Sequence, residues 1–189
     1  MALAEFGEVR TARLLLRPVH ADDLPALMDV NGDAEVTRHL PYEAWRGPDD
    51  AQAWLDRMLG YVAKGDTRQL VAVRLGDMRA VATILLFRHD EGSARAELGY
   101  ALARSCWRQG YMSEALGGVL GRAFDGMGLR RIEAEAHPDN RASCALLEAL
   151  GFRREGVLRE RWITKGAAHD TQFYGLLAPE WRARAGGSP

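Results

Sequence analysis

The chain has 189 residues, a length that suits one domain, and its 47% hydrophobic content can build a substantial core. Lys and Arg number 25 against 26 Asp and Glu, so the excess basicity that marks nucleic-acid or membrane-surface binding is missing, and a small molecule or a protein is the partner to expect. The two cysteines, Cys106 and Cys144, have neither CxxC nor Cys/His metal spacing and make no disulfide framework, which excludes a stapled secreted scaffold and a metal site, and reads as a reducing, cytoplasmic compartment.

The opening "MALAEFGEVR" carries an acid where a signal peptide needs a positive flank, and no later stretch approaches about 18 consecutive apolar residues, so no membrane segment is expected. "RLLLRPV" from Arg13 reads as a first strand, and "DDLPALMDV" as a helix with Asp22 as its N-cap. Residues 31–48 carry two glycines and two prolines, which predicts an irregular segment with short helical turns; loops of this length are often functional. From Pro48, the apolar positions Ala51, Trp54, Leu55, Met58, Leu59 and Val62 predict an amphipathic helix ending near Gly65, with Trp54 in the core. "QLVAVRL" and "AVATILLF" form a hairpin about "GDM", and "ARAELGYALA" is the next strand. Met112, Leu116, Val119, Leu120, Ala123, Phe124 and Met127 make a helical stripe that Gly128 stops. "RRIEAEA" alternates as a strand, "NRASCALLEAL" is a helix capped by Asn140 with Gly151 beyond its end, and the last two strands turn at Lys165 and Gly166. One domain over 1–189 is expected, with residues 185–189 a frayed tail.

The segment "WRQGYMSEALGGVL" from Trp107 joins a strand to a helix through a glycine turn. Such a junction leaves backbone N–H groups unpaired and pointing one way, an arrangement that binds anions. Gly110 permits close approach, and Arg108, with Arg104 and Arg141, can add positive charge around a pyrophosphate. Neither GxxxxGK[ST] nor GxGxxG is present, which counts against nucleoside triphosphates and dinucleotides. A plain turn with a solvated arginine accounts for the same residues.

"RQGYM" resembles the coenzyme A loop of the GNAT superfamily of N-acetyltransferases, in the variant of the branch that acetylates ribosomal-protein N-termini. "ELGYAL" before it and "NRASCALLEALGF" after it agree, and the resemblance extends to "TARLLLRPVHADDLPAL" and "GVLRERWITKGAAHDTQFYGLLAPEW". It implies a mixed α/β fold: a mostly antiparallel sheet of about seven strands with flanking helices and one splayed parallel pair, "ELGYALA" beside "RRIEAEA". Acetyl-CoA would wedge into the splay. Its pyrophosphate would meet the amides of Arg108, Gln109, Gly110, Tyr111, Met112 and Ser113, its pantetheine arm the main chain near Leu102 and Ala103, and Asn140 would hydrogen-bond the coenzyme or simply cap its helix. Proteins of this kind are commonly homodimers.

Acetyl transfer needs a neutral amine, a stabilised oxyanion and a proton for the leaving thiolate. An α-amine, with a pKa of about 7.7 to 8.0, asks less of a base than lysine at about 10.4. Glu97, among apolar neighbours in the splayed strand, is the first candidate base, its pKa raised by desolvation; a partnered structural carboxylate is the alternative. Glu133, Glu135 and His137 on one face of the next strand follow, then His169 with Asp170. The tyrosine that many superfamily members place seven residues after the motif asparagine is Leu147 here, so the resemblance assigns the proton donor to Ser143, three residues after Asn140. Ser143 as part of the helix cap is the alternative, and Tyr111 and Tyr174 stay open as donors. Trp107 is expected to pack and hold the loop, Cys106 to pack, and the segment with Arg38, His39, Tyr42 and Trp45 to contact the acceptor. The acceptor is a protein N-terminus or a small amine such as an antibiotic, a polyamine or an amino-acid derivative; a coenzyme-binding sensor without turnover is the competing class.

Overall fold

The structure, a computed structural model, describes residues 3–185. Its strands are β1 (Val9–Arg10), β2 (Leu14–Pro18), β3 (Arg68–Arg74), β4 (Arg79–Asp90), β5 (Arg95–Leu102), β6 (Arg131–Ala136), β7 (Arg153–Thr164) and β8 (Ala167–Leu177). They form one eight-stranded sheet in the order β1-β2-β3-β4-β5-β6-β8-β7. The helices are α1 (Leu24–Asn31), α2 (Ala34–Thr37), α3 (Pro48–Ala63), α4 (Tyr111–Gly121), α5 (Arg141–Ala149) and α6 (Ala178–Ala185).

All neighbours run antiparallel except β5 and β6, and that joint makes the site. β5 pairs with β4 along its whole length, from Asp90 opposite Arg95 to Ala82 opposite Leu102. It pairs with β6 only over Arg95–Leu98 against Arg131–Ala134. Beyond Leu98 and Ala134 the two strands part. Arg95 donates to Glu133 at 2.8 Å at the closed end of this seam.

Side chains alternate across a strand, so the register sorts residues onto two faces. Gln69, Leu85, Gly99 and Ala101 share a face with Glu97, and α3 lies over it through the buried Trp54 and Met58. Leu16, Ala72, Ala82 and Leu102 share the opposite face with Tyr100. There α4 packs closely: a Cβ on Gly118 would stand 3.0 Å from a Thr11 methyl and 3.3 Å from Leu16 and Val9, so glycine lets helix and sheet approach.

Several local expectations change. The eighth strand is the two-residue β1, too short to leave an alternation. Asp22 is not the cap of the first helix; a short 3₁₀ turn, Ala21–Asp23, comes first. Asp23 instead accepts the His20 amide at 2.8 Å and both Arg17 guanidinium nitrogens at 2.8 Å. The stripe to Met127 is α-helical only to Gly121, then widens into a π turn over Arg122–Gly126. α6 was not foreseen, and Ala185 closes it; the rest of the expected tail lies outside the described residues.

Candidate active site

The turn after β5 contains two left-handed residues, Arg108 at φ 59° and Gly110 at φ 78°. Main-chain N–H groups converge where such residues interrupt a right-handed turn, and they form a concavity for anions. Among the described residues, no hydrogen bond runs from the amides of residues 108–113 to a protein acceptor; the first helical bond is Glu114 N–H to the Gly110 carbonyl, at 3.0 Å. These unpaired donors open onto a cavity of about 1160 Å³, lined also by Arg108 and Arg141. Two expectations narrow. Arg104 lines a separate hollow beside Asp29 and Asp33. Gln109 turns its side chain back to the Ser105 carbonyl at 2.8 Å, which leaves only its amide for a ligand.

A clamp unforeseen in the sequence fixes this turn. Glu114 accepts from Thr11 Oγ1 at 2.6 Å, from the Arg13 amide at 2.7 Å and from Arg13 Nε at 2.6 Å. Arg13 Nη1 donates to the Gln109 carbonyl at 3.0 Å, and its guanidinium lies 4.3 Å from the Tyr111 ring centre. Burial pushes the Glu114 carboxyl up, but the bonds from Thr11 and Arg13 hold it below its ordinary value. An ionised carboxylate in the first turn also suits the positive end of the α4 dipole.

Along the open stretch of β5, the Ala103 amide donates to the Val81 carbonyl at 2.8 Å and its carbonyl accepts from Cys106 at 2.9 Å. Ala103 therefore has no main-chain group to spare for a pantetheine arm. Alternation turns the main-chain groups of Tyr100 and Leu102 toward the gap instead. Trp107 holds the start of the turn, its Nε1 donating to the Leu102 carbonyl at 2.9 Å, although the residue is 41% exposed. Cys106 is buried, as expected.

Glu97 is 6% exposed and lines the cavity. Burial raises its pKa above the ordinary carboxylate value; Arg88 opposes the rise, and Glu135 and Glu133 add to it. Arg88 Nη1 donates to Glu97 Oε2 at 2.7 Å. The partner arrives through a β-bulge: the β4–β5 register shifts between Phe87 and Asp90, and Arg88 takes φ 51° there. Glu97 is thus a carboxylate both desolvated and partnered. Glu133 is held by Arg95 and Arg131, each at 2.8 Å, and Glu135 accepts Trp162 Nε1 at 2.6 Å.

On the opposite face, Tyr100 Oη and Ser143 Oγ lie 2.7 Å apart. Burial pushes the Tyr100 phenol up to about 12, so it keeps its proton at neutral pH. Asn140 Oδ1 accepts the Ser143 amide at 3.2 Å and caps α5, while the Ser143 hydroxyl goes to Tyr100. Leu147 is fully buried. Tyr100 was not foreseen, though its spacing of three from Glu97 in a strand already put the two on opposite faces. Tyr174 is removed as a donor: it is fully buried, with its hydroxyl on Gln172 at 2.7 Å.

Arg38, His39 and Tyr42 line the end of the cavity beneath α3, joined by His137, His169 and Asp170. Trp45, expected with them, packs in the core against Trp54 with ring centres 5.3 Å apart. Among the described residues, no group of His, Cys, Asp or Glu side chains is placed to hold a metal ion, and no helix is long and apolar enough to cross a membrane.

Comparison with known proteins agrees with this geometry. The sequence profile of the acetyltransferase (GNAT) domain matches residues 13–153. An uncharacterized N-acetyltransferase of Bacillus subtilis, YoaA, is 31% identical over 92% of this chain and 98% of its own length. The [ribosomal protein uS5]-alanine N-acetyltransferase of Escherichia coli is 27% identical over 90% of this chain and 91% of its own. Among solved structures, Mycobacterium smegmatis RimJ in complex with CoA-disulfide superposes with a TM-score of 0.81 at 24% identity, covering 98% of each chain. The open main-chain donors, the splayed strands and the matching domain profile lead to one assignment: the chain belongs to the GNAT family of N-acetyltransferases, which use acetyl-CoA.

Proposed function

We propose that this chain acetylates the α-amino group of a polypeptide N-terminus, with Glu97 taking the amine proton and Ser143, backed by Tyr100, giving a proton to the departing thiolate. Acetyl-CoA supplies the acyl group as a thioester. The observation that carries the reading is the placement of the two proton-handling sites on opposite faces of the sheet, on either side of the open seam between β5 and β6. An amine can approach over the Glu97 face while the thiol end is served from the Tyr100 and Ser143 face, so neither proton needs to cross the reacting centre.

The α-amine follows from the strength of the base. Burial raises Glu97 above the ordinary carboxylate value while Arg88 limits the rise, and a carboxylate so placed suits an amine of pKa about 7.7 to 8.0, already part neutral at pH 7, better than a lysine. The name of the E. coli relative points the same way. Ser143 can donate its proton and recover one from Tyr100, whose phenol is protonated at neutral pH. The residues of the turn fit the coenzyme: six unpaired amides around a glycine, with Arg108 and Arg141 beside them, suit a pyrophosphate. The amides of Tyr100 and Leu102 in the gap would pair with the pantetheine arm, and the side-chain nitrogen of Asn140 is left to donate.

Transfer is direct, in a ternary complex. The cavity exceeds the roughly 1,000 Å³ that holds one drug-sized ligand, so both substrates can be present together. Neither cysteine favours a covalent acyl intermediate: Cys144 has its thiol on Gln172 Oε1 at 3.3 Å and is not part of the cavity lining, and Cys106, which does border the cavity, is almost wholly buried. The test is thiol release from acetyl-CoA against a panel of N-terminal peptides and a panel of small amines. Release with peptides alone supports the proposal; release with small amines alone overturns the acceptor class, and coenzyme binding without release against either panel makes the protein a sensor.

A further inference from the structure

Three imidazoles from three separate segments meet at the end of the cavity that the proposed function gives to the acceptor. His39 follows α2, His137 follows β6 and His169 lies on β8. The His137 ring centre lies 4.9 Å from that of His39 and 5.0 Å from that of His169. The amide of Asp139 points at His137 Nδ1 from 3.1 Å. A backbone amide can only donate, so Nδ1 holds a lone pair and the neutral ring carries its proton on Nε2. That proton faces His169 Nδ1 at 3.3 Å.

Both bonds require both rings to be neutral. A proton added at His137 Nδ1 would set N–H against the Asp139 N–H. A proton added at His169 Nδ1 would set N–H against the His137 Nε2–H. The surrounding charges are mixed. Arg38 adjoins His39, and Lys165, at the β7–β8 turn, donates to the Thr37 carbonyl at 2.9 Å across the same join. Burial first, then His137, Arg38 and Lys165, hold His39 below the ordinary histidine value. Asp139 pulls the other way on His39, but its side chain, whose Oδ2 lies 4.0 Å from His137 Nδ1, is 85% exposed and its effect is screened by water. Asp170, beside His169, is turned to the Glu160 amide at 2.9 Å, and Glu35 of α2 stands on the cavity rim.

We propose that the His39, His137 and His169 stack is the positioning device for the acceptor: neutral, it holds the segment after α2 and the β7–β8 hairpin together around the acceptor mouth, and protonation releases them. The proposal rests on the acceptor-side reading given above. The sign follows from His39. A histidine whose folded pKa is lowered favours the closed arrangement above its unfolded value of about 6.5, and that contribution is lost as pH falls through the lowered value. Acceptor KM, corrected for the neutral fraction of the amine, should therefore rise on acidification while coenzyme affinity stays level.

The experiment begins without any acceptor. Long-range nitrogen–proton NMR spectra should show His137 with its proton on Nε2 at pH 8, and hydrogen exchange of residues 38–45 and 165–170, corrected for intrinsic rates, should speed up at pH 5.5. His169→Ala should loosen those segments already at pH 8, and with an acceptor in hand should raise its KM about fivefold, the equivalent of one hydrogen bond of about 1 kcal/mol. His169→Asn keeps an oxygen acceptor for His137 and cannot take up a proton, so it should preserve the pH 8 behaviour and blunt the loosening at pH 5.5. A His137 proton on Nδ1, or identical exchange at both pH values in the native protein and at pH 8 in His169→Ala, overturns the proposal. Failure to find an accepting peptide would sink the assigned substrate and leave these two measurements to decide the stack.

Discussion

The two ends of the cavity are built on different principles. The end proposed for the coenzyme is made of main chain: the unpaired amides of a turn with two left-handed residues, continuous in sequence and clamped by Arg13 and Glu114. The end proposed for the acceptor is made of side chains from separate segments: His39, Glu97, His137, Trp162 and His169. A main-chain site can be kept while most of its side chains change, because its specificity lies in backbone shape. A side-chain site can be retuned one residue at a time. This difference suits a scaffold that keeps one donor and varies its acceptor.

The comparison can be tested in order of expected effect. Glu97→Gln should lower kcat/KM at pH 7 by about 10² to 10⁴, the usual range for losing a general base. Because the Glu97 pKa is raised, the base is lost as pH falls through that raised value. The native rate should therefore drop on the acid side, while the deficit of Glu97→Gln shrinks as pH rises and the amine sheds its own proton. A deficit that does not change with pH would make Glu97 a positioning residue. Gly110→Val places a β-branched residue at φ 78°, and strain of about 1 to 3 kcal/mol should weaken coenzyme binding by roughly tenfold to a hundredfold. Isothermal titration with coenzyme A reads this directly, and unchanged affinity would break the main-chain account. Ser143→Ala should lower kcat about tenfold with coenzyme affinity intact, and adding Tyr100→Phe should lower it little further, since two groups in one relay do not add. Arg108→Ala should have the smallest effect, at most about fivefold on coenzyme affinity, because an exposed charge contributes about 0 to 1 kcal/mol. If Arg108→Ala exceeds Gly110→Val, the coenzyme end depends on side chains after all.

Legibility in the sequence divides along the same line. Gly110 and the cap at Asn140 could be read because the physics is local: a turn, a helix start and one short polar side chain. Glu97 could be read from its apolar surroundings, and Tyr100 was readable from parity alone. Arg88 was not, because only a bulge in the β4–β5 register turns it onto Glu97, and a bulge belongs to a pair of strands rather than to one. The Glu114 clamp joins groups about a hundred positions apart, and nothing near Arg13 announces it. Trp45 read as a loop aromatic because its segment is irregular, yet its ring found the larger apolar partner in Trp54. The histidine stack needs three backbone segments to be in place before any two rings can meet.

The unpaired stretch between β5 and β6 has a mechanical consequence. Ladder pairing over Arg95–Leu98 and the Arg95–Glu133 ion pair close one end, and Tyr100 reaches across to Ser143 of α5, but beyond Leu98 and Ala134 lie edges that no strand covers. A coenzyme arm lying there would act as a splint, lending the sheet the rungs it lacks. The fold would then be stiffest when charged with its donor and loosest just after the spent thiol departs, so turnover would alternately brace and slacken the molecule along that one line.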